Sequence, residues 1–86
     1  MVEYDELTKK NYDEINKFFM DAFSIRKGVS FKCGDTYYNV IRLNRGDYLL
    51  SELEVDRGGY VVDATTVLSF ETLSGVIKFI SDLVKF

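Results

Sequence analysis

The chain contains no histidine, no proline and no tryptophan, and only one cysteine, Cys33. Without histidine it lacks the usual general base, the commonest metal ligand and the side chain that changes charge near neutral pH. A lone cysteine forms no disulfide within the chain, which fits a reducing compartment. No apolar run is long enough to cross a membrane, and the opening stretch from Met1 to Glu6 is acidic and polar, unlike a signal peptide. A cytoplasmic location is therefore expected. Abundant Lys, Asn, Ile, Phe and Tyr beside these absences suggests an AT-rich bacterial or phage genome.

With 86 residues, the sequence reads as one small α+β domain spanning positions 1–86. Chains of this size bury only about 60% of their extended surface, so the core must be efficient. Seven Phe and six Tyr supply bulk for it. The net charge is −3, unevenly spread. Residues 1–25 carry six acids and three lysines, residues 26–45 five bases and one acid, residues 46–63 five acids and one base, and residues 64–86 two of each. The basic footprint of a nucleic-acid binder is missing.

From Val29 to Thr66 the sequence predicts four short strands joined by three turns, at Gly34-Asp35, Arg45-Gly46 and Arg57-Gly58. Each is read as a two-residue hairpin connection between β-branched and aromatic runs. Two-residue turns fix the register, because opposed residues share a face and side chains alternate along each strand. One face then collects Val29, Phe31, Cys33, Tyr38, Val40, Leu49, Leu53, Val55, Tyr60, Val62 and Ala64, and is expected to be the core face. The other carries Ser30, Lys32, Tyr37, Asn39, Ile41, Leu43, Tyr48, Leu50, Glu52, Glu54, Val61, Asp63 and Thr65. On it Ile41 and Leu43 fall opposite Leu50 and Tyr48, an apolar end, while Glu52 falls opposite both Asn39 and Asp63, an acidic end.

A helix is expected on each side of this meander. Before it a helix is expected from about Tyr4 to Lys27, where Tyr12, Ile15, Phe18, Phe19, Ala22 and Phe23 recur at helical spacing, with Tyr4 and Leu7 extending the face backward. Asn11 with Glu14 offers a capping box, Arg26 and Lys27 suit the last turn, and Gly28 is the expected left-handed stop. After the meander, Ser69 is the expected N-cap of a helix from Phe70 to Val84. Its buried stripe is Leu73, Val76, Ile77, Ile80, Leu83 and Val84, with Phe79 and Phe86 beside it. Gly75 within this helix suggests close packing. The predicted architecture has two layers: helix, four-stranded antiparallel β-meander, helix, with both helices on one sheet face.

No residue set points to catalysis. Cys33 projects to the core face and has no histidine to activate it, so it reads as a buried, quiet thiol. Arg45-Gly46-Asp47 spells an integrin-ligand tripeptide, but turn chemistry accounts for it. Glu52, Glu54 and Asp63 suit a hard cation in type, yet lack any known loop spacing, so neither metal nor cofactor is assigned and no enzyme is expected. Tyr37 and Tyr48 could stack bases on an open sheet, giving a single-stranded nucleic-acid binder as an alternative, but the neighbouring acids repel phosphate. A homodimer through the second face is the other alternative. The favoured expectation is a non-enzymatic protein-binding module, with Tyr37, Ile41, Leu43, Tyr48, Leu50, Glu52, Glu54 and Asp63 meeting a partner's basic patch. In size and charge alone it is similar to phage inhibitors of host or defence proteins, anti-CRISPR proteins among them.

Overall fold

The computed structural model describes residues 3–84. In chain order they form β1 (Asp5–Glu6), α1 (Tyr12–Ile25), β2 (Gly28–Cys33), β3 (Thr36–Arg42), β4 (Tyr48–Val55), β5 (Val61–Phe70) and α2 (Leu73–Val84). The sheet order is β1-β2-β3-β4-β5. The expected antiparallel meander is β2 to β5. β1 adds an unforeseen fifth strand, paired parallel to β2 with Asp5 opposite Phe31 and Glu6 opposite Lys32. Parallel neighbours need a crossover, and α1 supplies it. The class is α+β, and the sheet is mixed.

The capping box at α1 is present. Asn11 Oδ1 accepts the Glu14 amide at 2.9 Å, and Glu14 Oε1 accepts the Asn11 amide at 3.1 Å. It starts the helix at Tyr12, so Tyr4 and Leu7 lie outside it, although Leu7 is fully buried. Arg26 is the C-cap, its amide donating to Ala22 O at 2.9 Å, and Lys27 follows it, so neither base lies in the last helical turn. Gly28 is no left-handed stop: it opens β2 opposite Ile41, and positive φ occurs only at Gly34, Gly46 and Gly59 among the described residues. At the other end β5 runs on through Phe70, and Ser69 pairs with Leu49 instead of capping a helix. α2 begins at Leu73, where Thr72 Oγ1 accepts the Gly75 amide at 3.2 Å. A Cβ on Gly75 would stand 3.3 Å from the Phe70 ring, the close approach that its glycine suggested. Phe86 lies outside the described residues.

Both helices pack on one sheet face and on each other, α1 over β2 and α2 over β4 and the end of β5. Ile15, Phe19, Ala22 and Phe23 from α1 and Val76, Ile77 and Ile80 from α2 close on Val29, Phe31, Val40, Tyr48 and Leu50. Phe31 is the hub, with the Phe19 ring edge-on at 5.3 Å and Tyr38 stacked at 5.8 Å. Tyr12 and Leu83, expected in the buried stripes, are exposed at 52% and 36%.

The register differs from the expected one in a systematic way. Around Gly34-Asp35 it is as read, with Cys33 opposite Thr36 and Val29 opposite Val40. The other two turns each hold three residues. Leu43 N–H donates to Asp47 O at 2.7 Å and Gly46 N–H to Leu43 O at 2.9 Å; Asp56 N–H donates to Tyr60 O at 2.9 Å and Gly59 N–H to Asp56 O at 3.0 Å. In each the third loop residue is a glycine in the left-handed region, Gly46 at φ 100° and Gly59 at φ 85°. A turn of this kind needs that conformation in that place. One extra residue per loop flips the faces beyond it. Val40 therefore faces Leu50, not Ser51, and Leu50 goes into the core. Leu49, Leu53 and Val55, expected in the core, lie on the opposite face. Register shifts between Leu50 and Ser51 and between Glu54 and Val55 offset β5 further, leaving Val67 and Val62 as its extra residues.

The face away from the helices is not flat. Tyr4 lays its ring edge against Tyr37 at 4.9 Å, and its hydroxyl donates to Gly59 O at 2.7 Å in the turn between β4 and β5. In a flat sheet that turn lies at least three strand spacings of about 4.8 Å from β1, farther than one phenol reaches. The sheet is curled, and Tyr4 closes the curl.

Candidate functional site

The eight residues expected to share one surface fall into three groups. Tyr37 and Ile41 lie on the face away from the helices, and Leu43 closes the loop beyond β3. Ile41 is 39% exposed there, while Tyr37 is covered by Tyr4 and by Lys32 Nζ, 5.4 Å from its ring centre. Tyr48 and Leu50 are in the core beneath the helices, with Tyr48 against Phe23 at 5.3 Å. Glu52, Glu54 and Asp63 are on the helix side of the sheet, past the reach of the helices, and all are exposed. The expected apolar-and-acidic surface is thus not one surface: the extra loop residue at Asn44–Gly46 sent its β4 members to the other side. Nor are two sheet tyrosines left open for stacking bases.

The acids do converge with one another. Glu54 is directly opposite Asp63, in place of the expected Glu52–Asp63 pair, and Glu52 is opposite Tyr38 on one side and Thr65 on the other. With Leu53 and Thr65 they line an open hollow of about 270 Å³. Neither Glu52 nor Glu54 has a hydrogen bond or ion pair among the described residues, and Asp63 Oδ1 accepts only the amide of Ala64, at 2.9 Å. Burial and then the Glu52 carboxylate push the Tyr38 hydroxyl above its ordinary value. The sole base between positions 46 and 63 is Arg57, in the turn beyond. Among the described residues no group of three or more His, Cys, Asp or Glu is placed to hold a metal ion.

Two other features prove local. Arg45 Nε donates to Asp47 Oδ1 at 2.7 Å, so the Arg-Gly-Asp sequence closes its own turn, and that bond holds the Asp47 carboxyl below its usual range. Cys33 is half-buried rather than buried. Burial, with the Glu6 carboxylate nearby, pushes its thiol up to about 11. Burial also acts to raise Glu6, but hydrogen bonds from Thr8 and the Gly34 amide, with the charge of Lys32, outweigh it and leave Glu6 below its ordinary value.

The far edge of the sheet adds a feature outside the expected site. β5 is ten residues long, is the last strand, and is exposed from Val61 to Ser69. Its sequence carries the signal: VVDATTVLSF holds one charge and no proline or lysine. No helix among the described residues is long and apolar enough to cross a membrane. No family model matches the chain, and no curated protein or solved structure is significantly similar to it.

Proposed function

We propose that this chain is a small, non-catalytic protein-binding module whose acidic ledge, Glu52, Glu54 and Asp63, takes a basic patch of its partner. The observation that carries the reading is the placement of three carboxylates together on one side of the sheet, two directly opposed, with no cation paired to them among the described residues. Like charges opposed across strands cost roughly 0.2–1 kcal/mol in the unbound chain, a cost that a partner's Lys or Arg removes. In a phage or mobile element such a module would serve as an inhibitor of a host or defence protein, a finer reading supported by size and charge alone. The test compares proteins captured from lysate of the source cell by the native chain and by Glu52→Lys/Asp63→Lys, with circular dichroism to check that the variant is folded. A captured protein that is lost on charge reversal, and whose association with the native chain slows at raised salt, supports the reading. Capture that is indifferent to the reversal refutes it.

A further inference from the structure

An edge strand presents a row of unpaired N–H and C=O groups, and proteins blunt such edges with lysine, proline, bulges or a covering element. β5 has neither lysine nor proline, and among the described residues its backbone bonds run only to β4. Its register shifts leave a regular stretch from Asp63 to Thr66 between them. That stretch is two-sided. Asp63 and Thr65 point to the helix side, beside Glu52 and Glu54; Ala64 and Thr66 point to the other, which there is neutral.

We propose that β5 receives an extended segment of the partner as a sixth strand, with Lys or Arg at every second position against the acidic ledge and small or apolar residues between. This rests on the protein-binding reading and adds its mode: main-chain bonds to β5 supply affinity, and the alternating pockets supply the choice of sequence. The Ala64 amide, now satisfied by Asp63 Oδ1, becomes a donor to the incoming strand once a cation draws that carboxylate away. A second copy of this chain fits less well. Pairing β5 with itself fills the edge but brings no base, since β5 contains none, and leaves the ledge uncompensated.

The test uses three labelled peptides as long as β5: one alternating Lys with Val and Thr, one of the same composition with its lysines in a block, and the alternating one N-methylated at every backbone nitrogen. The alternating peptide is expected to bind at least roughly tenfold tighter than either control by fluorescence anisotropy. It is expected to shift and protect the amides of Val61–Phe70 in NMR spectra, and to lose roughly tenfold in affinity against Asp63→Lys. Equal binding of the three peptides overturns strand addition while leaving the acidic ledge as a charge-only site. Shifts around Tyr37 and Ile41 place the contact on the other face and overturn it as well. A chain that is dimeric alone, with β5 amides already protected, assigns the edge to a second copy. If none of the peptides binds while capture still depends on Glu52 and Asp63, strand addition fails and the function stands.

Discussion

Leu50→Ala and Leu49→Ala, compared as a pair, test the register of the whole sheet. Leu50 is fully buried beneath the helices, opposite Val40 and Leu68; its chain neighbour Leu49 is partly buried on the other face, opposite Ile41 and Ser69. Truncating a fully buried leucine costs about 2–5 kcal/mol in lost transfer energy and residual cavity. A chain of 86 residues has in all only about 4–13 kcal/mol of stability at ordinary per-residue values. With an unfolding entropy of about 0.18 kcal/mol/K for this length, a loss of about 3 kcal/mol lowers Tm by about 17 °C. Leu49→Ala should cost about 1 kcal/mol or less and lower Tm by about 5 °C. Urea unfolding followed by circular dichroism measures both, and unchanged slopes would show that the native fold is the one being compared. If Leu49→Ala proves the costlier change, the two-residue turn at Arg45-Gly46 is correct and the site described above is on the wrong side of the sheet.

Glu54→Gln is expected to stabilise the chain by roughly 0.2–1 kcal/mol by relieving the opposition with Asp63, with a gain that shrinks as salt rises; a loss at low salt would show that the pair is not repulsive. Cys33, with its thiol moved from 9.0 to about 11, is expected to react slowly with thiol reagents near neutral pH, at a rate that climbs through about pH 11. Since the unfolded thiol ionises first, this group's contribution to stability is complete below about pH 9 and is lost as pH rises toward 11; the loss should be absent from Cys33→Ala. Ser81, 4% exposed and with no hydrogen-bond partner for its hydroxyl among the described residues, is expected to gain about 1 kcal/mol on change to Ala, and a destabilised Ser81→Ala would mean that the hydroxyl is hydrogen-bonded.

Local signals in this sequence were legible wherever one physical cause dominated. The Ile15–Phe19–Phe23 stripe, the Asn11–Glu14 box and the Gly34-Asp35 turn each appear as read. What was not legible depended on where a glycine sits within its loop. Asn44-Arg45-Gly46 and Arg57-Gly58-Gly59 each accept a two-residue or a three-residue turn, and at the first of them the burial of Leu50 against the helices favours the longer loop. That choice flips the parity of β4, which is why the acids were found and their neighbours were not. β1, with two residues, is too short to show a period, and its pairing comes from the crossover through α1. Ser69 and Phe70 carry helix-start chemistry, yet the pairing of β5 with β4 overrides it.

The Tyr4–Gly59 bond also bears on the order in which the chain assembles. β2 to β5 pair with one another only as hairpin neighbours, so these pairings close over short loops and can form early. β1 must wait for α1 to cross over, and Tyr4 has no acceptor until the turn after β4 exists. The N-terminal strand is therefore expected to dock last and leave first, a latch on a sheet already built. Interactions formed after the transition state chiefly govern the unfolding rate. Removing the phenol hydroxyl in Tyr4→Phe should accordingly quicken release of β1 in hydrogen exchange while leaving the folding rate of the meander unchanged.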